Sequence, residues 1–168
     1  MQISKRISPC LWFDGRAEEA ANFYVSIFKN SRVTQISRYP KAGKETHQRE
    51  PGSVLTVAFE LDGQPMTALN GPPIFKFNEA VSLQIYVEDQ KEYDYYWDKL
   101  TPGGDPKAQV CGWLKDKYGL SWQVVPRKML EWWEHMDEKS ERAFSAMMKM
   151  GKLDIAALER AYEGRQAA

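Results

Sequence analysis

The chain has 168 residues, 43% hydrophobic and 27% charged, with 23 basic side chains set against 23 acidic ones. That composition suits one compact domain, or two small modules with a real core. The lack of a basic stripe interleaved with aromatics argues against nucleic-acid binding. No apolar run reaches the roughly 18 residues of a membrane span, and the start MQISKRISPC lacks a signal peptide's apolar stretch, so a cytoplasmic protein with no membrane partner is expected.

In SPCLWFDG, Ser8, Cys10 and Trp12 alternate with Pro9, Leu11 and Phe13, the pattern of a strand with two unlike faces. RAEEAANFYVSIF follows with Ala17, Ala20, Phe23, Tyr24, Ile27 and Phe28 at helical spacing. SRVTQISRY reads as a weaker strand, and YPKAGKETHQREPGS as a mobile polar loop carrying His47. SVLTVAFELDGQPMTALNG is a hairpin signal, two β-prone runs about Asp62-Gly63.

The pattern then restarts. SLQIYVEDQKEYDYYWDKL aligns with the first strand and helix without a gap, Ser8 on Ser82, Leu11 on Ile85, Trp12 on Tyr86 and Phe23 on Trp97. VCGWLKDKYGLSWQVVP reads as a second hairpin with Gly119 in the place of Gly63, while TPGGDPKAQ replaces a strand and the long loop. Matched polar and apolar order through strand and helix indicates a duplicated β-α-hairpin unit. The last forty or so residues are helix-rich. Gly151 is a stop, Asp154 a cap, and Ala143, Phe144, Met147 and Met148 are read as one apolar face.

Carried through the strands, alternation separates a face of large apolar residues, among them Leu11, Phe13, Val57, Phe59, Ile85 and Val87, which helices are expected to cover. A hairpin turning at Asp116 to Gly119 puts Trp113 opposite Trp122 on that apolar face. The other face holds hydroxyls, amides and a few aromatics and is nearly uncharged, which suits a ligand cavity rather than a solvated surface. In the first repeat its candidate binding residues are Ser8, Cys10, Trp12 and Thr67; in the second they are Ser82, Gln84, Tyr86 and Gln123. Cys10 and Cys111 form no CxxC and, with only His47 and His135 in the chain, read as reduced cysteines in or near a core.

SPCLWFDGRAEEAANFYVSIF, MTALNGPPIFKFNEAVS and CGWLKDKYGLSWQVVP together resemble the vicinal-oxygen-chelate superfamily of glyoxalase, bleomycin-resistance and dioxygenase proteins. Within it they are similar to the PhnB-like subgroup, whose members are often labelled 3-demethylubiquinone-9 3-methyltransferase-like. The resemblance implies an α+β fold, two βαβββ-type modules with the second shortened, forming a curved mixed sheet around a cavity. The paired-module domain is expected over 1–126, with module one at 5–72 and module two at 80–126, and a helical C-terminal extension over 127–168.

Metal-dependent relatives draw four ligands from equivalent strand positions, which fall here on Ser8, Thr67, Ser82 and Gln123. Neutral hydroxyls are poor ligands for a divalent transition metal, so no metal is expected. With no G-x-G in the chain, no cofactor is expected either. The leading expectation is a metal-free protein or enzyme that binds a small organic molecule, of unknown substrate. Two alternatives stand beside it: a metal- or thiol-dependent enzyme, including the methyltransferase label, and a ligand-free dimeric interaction module. A homodimer is expected from the resemblance.

Overall fold

Leu11 and Phe13 are the buried side chains of β1 (Cys10–Phe13), and α1 (Ala17–Ile27) follows and packs on the sheet that β1 joins. The structure is a computed structural model that describes residues 6–165. It falls into two units that divide between Lys76 and Phe77.

The first unit continues through β2 (Arg32–Arg38), α2 (Lys44–His47), β3 (Val54–Leu61) and β4 (Gln64–Asn70). Its sheet runs β1-β4-β3-β2, with β1 parallel to β4 and the other pairs antiparallel. The hairpin turns at Asp62 and Gly63, both at positive φ (46° and 74°), a combination that Asp-Gly adopts readily. Ala17, Ala20 and Ala21 are fully buried, and their small side chains let the helix backbone approach the sheet. Tyr24 stacks on Phe59 at 6.4 Å, and burying a large apolar side chain of this kind stabilises the unit by about 1.5–3 kcal/mol.

The second unit holds β5 (Ser82–Val87), α3 (Gln90–Leu100), β6 (Trp113–Lys115), β7 (Ser121–Pro126), α4 (Arg127–His135), α5 (Glu138–Met147) and α6 (Ile155–Glu163). The sheet order is β5-β7-β6, with β5 parallel to β7 and β6 antiparallel to it. Asp89 caps α3 by accepting from the Glu92 N–H at 2.8 Å, and Tyr93, Trp97 and Leu100 form the helix's buried face. The repeat extends to register. Cys10 pairs with Thr67 in the first sheet as Gln84 pairs with Gln123 in the second, the positions the sequence alignment equates. The α+β class is thus observed, with one mixed sheet in each unit.

Four expectations change in detail. Trp113 pairs with Gln123 and Leu114 with Trp122, so Leu114 is the buried residue and Trp113 lies on the Gln123 face. Asp116 N–H bonds to the Leu120 carbonyl, which moves the pairing by one residue from the expected register and exchanges the faces. On α5 and its C-cap Met148, Ala143 and Met147 are buried while Phe144 and Met148 stay 42% and 55% exposed, so the inward stripe is narrower than the sequence suggested. The polar loop contains the helical turn α2 and is tied down by Tyr39 N–H to Ser53 O and Gly52 N–H to Tyr39 O. Cys10 reaches the surface and Cys111 is half-buried at a positive φ of 53°, so neither is a core cysteine.

The segment between α5 and α6 is stitched into the second unit. Cys111 N–H donates to Met150 O and Gly112 N–H to Gly151 O. Tyr93 Oη accepts from Leu153 N–H, and the Gln90 side chain bonds both Leu153 O and Ile155 N–H. Lys152 bridges Asp94 and Asp98, and its hydrogen bond holds the Asp94 carboxyl below the usual aspartate value.

Candidate functional site

In the first unit the candidate residues share the sheet face away from α1, and several have partners already. Ser8 Oγ donates to Pro65 O at 2.7 Å. Trp12 Nε1 donates to Pro72 O at 3.0 Å, and its ring meets Phe75 edge-on at 5.0 Å. Thr67 sits beside Cys10 in the ladder. Although Cys10 is exposed, partial burial of its sulfur pushes the thiol above its ordinary value, which favours the protonated form near neutrality.

Trp12 lies flat against Gly71, where an added Cβ would come within 1.9 Å of its ring carbon Cζ2. Gly71→Ala is expected to cost about 1–3 kcal/mol through overpacking, measured by urea unfolding. The cost should largely vanish in a Trp12→Ala background. An undiminished cost there would show that the ring is not the obstacle.

His47 is half-buried. Its ring packs on Tyr39 at 4.6 Å, and Nδ1 accepts from the Arg49 N–H at 3.1 Å. The Arg49 guanidinium joins Asp14 (2.7 Å) to the Gly71 carbonyl, so this loop is anchored onto its own unit.

In the second unit the four candidates form one directed chain. Tyr86 O–H donates to Gln84 Oε1 at 2.6 Å, and Gln84 Nε2 faces Gln123 Oε1 at 3.4 Å. Gln123 Nε2 donates to Ser82 Oγ at 2.7 Å. Arg127 lies 5.5 Å from the centre of the Tyr86 ring and pairs with Glu88 at 2.6 Å.

Gln84 and Gln123 also line a cavity of about 750 Å³ that lies wholly within this unit. Ser121 extends its polar side, and Trp113, Met129, Trp133, Met147 and Met148 supply apolar wall. Strand alternation brings Trp113, Ser121 and Gln123 to one face, and α4 and α5 bring the wall across it. Cys111 and Met148 meet there, sulfur to sulfur, at 3.8 Å. Glu79 and Lys115 line the cavity as an ion pair, and the Lys115 hydrogen bond holds the Glu79 carboxyl below its usual value.

Ser121 stands two residues before Gln123, on the same face of the strand, but was not among the candidate residues, and the helical wall had no assigned role. Helical spacing in RKMLEWWEH brings Met129 and Trp133 to one side of α4, and that spacing was the available signal. It could not say which sheet face the helix would cross.

The groups implied by the resemblance can be tested against these residues. The four ligand positions offer hydroxyls and an amide, a weak set for a divalent transition metal, and Ser8 is already engaged with Pro65. Among the described residues no three His, Cys, Asp or Glu side chains gather. A methyl donor such as S-adenosylmethionine is commonly held where a glycine-rich turn meets a helix N-terminus. Here β1 is followed by Asp14-Gly15-Arg16, and the first N–H of α1, at Ala17, is taken by Asn70 Oδ1 at 2.9 Å. The residues present do not fit that donor. No helix among the described residues is long and apolar enough to cross a membrane.

Residues 5–125 match the family described as 3-demethylubiquinone-9 3-methyltransferase. Among solved structures, the PhnB protein of Bacillus cereus is 36% identical over 73% of this chain and 99% of its own, with a TM-score of 0.61. PA1353 of Pseudomonas aeruginosa is 18% identical over 73% of this chain and 98% of its own, at 0.55. The fosfomycin resistance protein FosX of Listeria monocytogenes is 13% identical over 74% of this chain and 93% of its own, at 0.50. The last two share the fold. No curated protein matches the chain at a significant level. With a mixed sheet in each unit, a repeated register and a family pattern spanning most of its length, the chain belongs to the 3-demethylubiquinone-9 3-methyltransferase family, the PhnB-like branch of the vicinal-oxygen-chelate superfamily.

Proposed function

We propose that the protein binds a small, partly aromatic organic molecule in the cavity of its second unit, and does so without a metal. One observation carries the reading: a single cavity has a polar floor of Gln84, Ser121 and Gln123 facing an apolar wall from α4 and α5. A ligand with one hydrogen-bonding end and an apolar body satisfies both sides, and such mixed linings are typical of ligand sites. Trp113 and Trp133 add stacking surface. The thiol alternative has little support, because the Cys10 thiol is pushed towards its protonated form. The methyltransferase name belongs to the family, and the filled N-terminus of α1 does not favour its cofactor.

Titration of the protein with 1-naphthol, followed by tryptophan fluorescence in the presence of EDTA, tests this. Saturable one-site quenching is expected, and Trp133→Ala should weaken it by about five- to tenfold, the worth of one stacked ring. Quenching that appears only after nickel, zinc or manganese is added would overturn the metal-free reading.

A further inference from the structure

Ser121 is the first residue of β7 and only 1% exposed, yet its Oγ has no hydrogen-bond partner although it lines the cavity. Buried hydroxyls in native proteins are nearly always paired, and one left unpaired weakens the fold. The other polar groups of that floor are occupied with each other. The Gln123 amide lies between Gln84 and Ser82, and Gln84 also accepts from Tyr86. A group entering from the cavity that Ser121 lines can supply the missing partner.

Charge narrows what that can be. Lys115 is directly opposite Ser121 in the ladder, but its ammonium is neutralised by Glu79. Lys107 also lines the cavity, but it is exposed, where solvent and salt screen its field. A carboxylate driven down to Ser121 would exchange its hydration for neutral amides, thioethers and indole, which costs more than one hydroxyl returns. A neutral hydroxyl or carbonyl incurs far less of that penalty. Above it, Met129, Met147 and Trp133 form apolar and sulfur-bearing wall, a good surface for an aromatic ring. Leu130 and Met148 continue this wall into solvent at 46% and 55% exposure, a path for an apolar substituent to leave.

We propose that Ser121 is the polar anchor of this site, and that its ligands are neutral aromatic molecules bearing a hydroxyl or carbonyl and an apolar substituent. This deepens the reading that the cavity binds a small molecule, and rests on it. The anchor works in either direction, because a serine hydroxyl donates to a carbonyl and accepts from a phenol.

The test is calorimetric titration of the wild-type protein and Ser121→Ala with 4-butylphenol, 4-butylbenzoate and butylbenzene. The phenol is expected to bind wild type about tenfold more tightly than the other two, and Ser121→Ala should remove most of that advantage while leaving butylbenzene within about twofold. Equal binding of all three probes with a silent Ser121→Ala would overturn the anchor and leave the binding cavity standing. Tighter binding of the benzoate would overturn the ligand class. Failure of every probe to bind wild type would remove the cavity reading and this proposal together. Thermal unfolding without ligand adds a separate check. Ser121→Ala should melt no lower than wild type, and a clear loss of Tm would show that the free protein already satisfies the hydroxyl.

Discussion

Asp116→Ala is expected to destabilise the second unit by about 3–5 kcal/mol, because one buried carboxylate satisfies three donors there. Asp116 is 1% exposed. Its Oδ1 accepts from the N–H groups of Tyr118 (2.8 Å) and Leu120 (3.1 Å), and its Oδ2 accepts from Trp122 Nε1 at 2.8 Å. The loop from β6 to β7 is thus folded around a side chain as well as around its own backbone. Alanine strands these donors away from water. Asparagine keeps an acceptor for the loop but turns an amide N–H towards the indole N–H, so Asp116→Asn should lose about 2 kcal/mol. Urea unfolding followed by tryptophan fluorescence would measure both, with an unchanged m-value. In a Trp122→Phe background the alanine cost should shrink. A cost independent of Trp122 would show that the loop amides alone make the difference.

A second buried joint, in the first unit, is Asn70, where alanine should cost about 2–3 kcal/mol. Asn70 ends β4 and is 4% exposed. Its Oδ1 accepts from Ala17 N–H at 2.9 Å, and its Nδ2 donates to Val54 O at 3.0 Å. The side chain therefore fastens the start of α1 and the start of β3 to the end of β4. Asn70→Asp should recover part of the loss, since a carboxylate still accepts from the helix N-terminus and is favoured by its dipole. It cannot donate to Val54, and the two oxygens would repel. Hydrogen exchange at the Ala17 amide is the direct readout, faster in the alanine variant than in the aspartate variant. Equal exchange in wild type and alanine variant would refute the capping role.

Where alternation met an unambiguous turn, the sequence was easy to read. Asp62-Gly63 supplies both residues that a two-residue turn demands, so β3 and β4 and the facing of Phe59 and Met66 followed directly. Trp113 defeated the same reasoning because the turn at Asp116 to Gly119 permits two registers one residue apart. The choice between them lies in the Asp116 carboxylate bonds, which spacing does not reveal. In the second unit, alternation set Ser82, Gln84, Tyr86 and Gln123 on one face, where they form one hydrogen-bonded chain, and Gln84 and Gln123 of the four line the cavity. Ser121 was hidden for a different reason. A serine in a strand is usually solvated or paired, and only the packed neighbours show this one to be neither. The narrower stripe of α5 has a local cause as well: Ser140 Oγ donates to the Trp132 carbonyl, which fixes the helix's rotation against α4.

The stitching of residues 150–155 bears on how small a working fragment of this protein can be made. The family pattern ends at residue 125. A fragment cut there would leave the amides of Cys111 and Gly112 without the carbonyls of Met150 and Gly151, and would strip Tyr93 and Gln90 of the backbone they hold. It would also take away the α4 and α5 side of the cavity. Excision for engineering, or fusion of this repeat to another chain, should therefore carry the tail along. For this protein the smallest transferable piece is set by hydrogen-bond closure, and the boundary of the recognisable family sequence falls short of it.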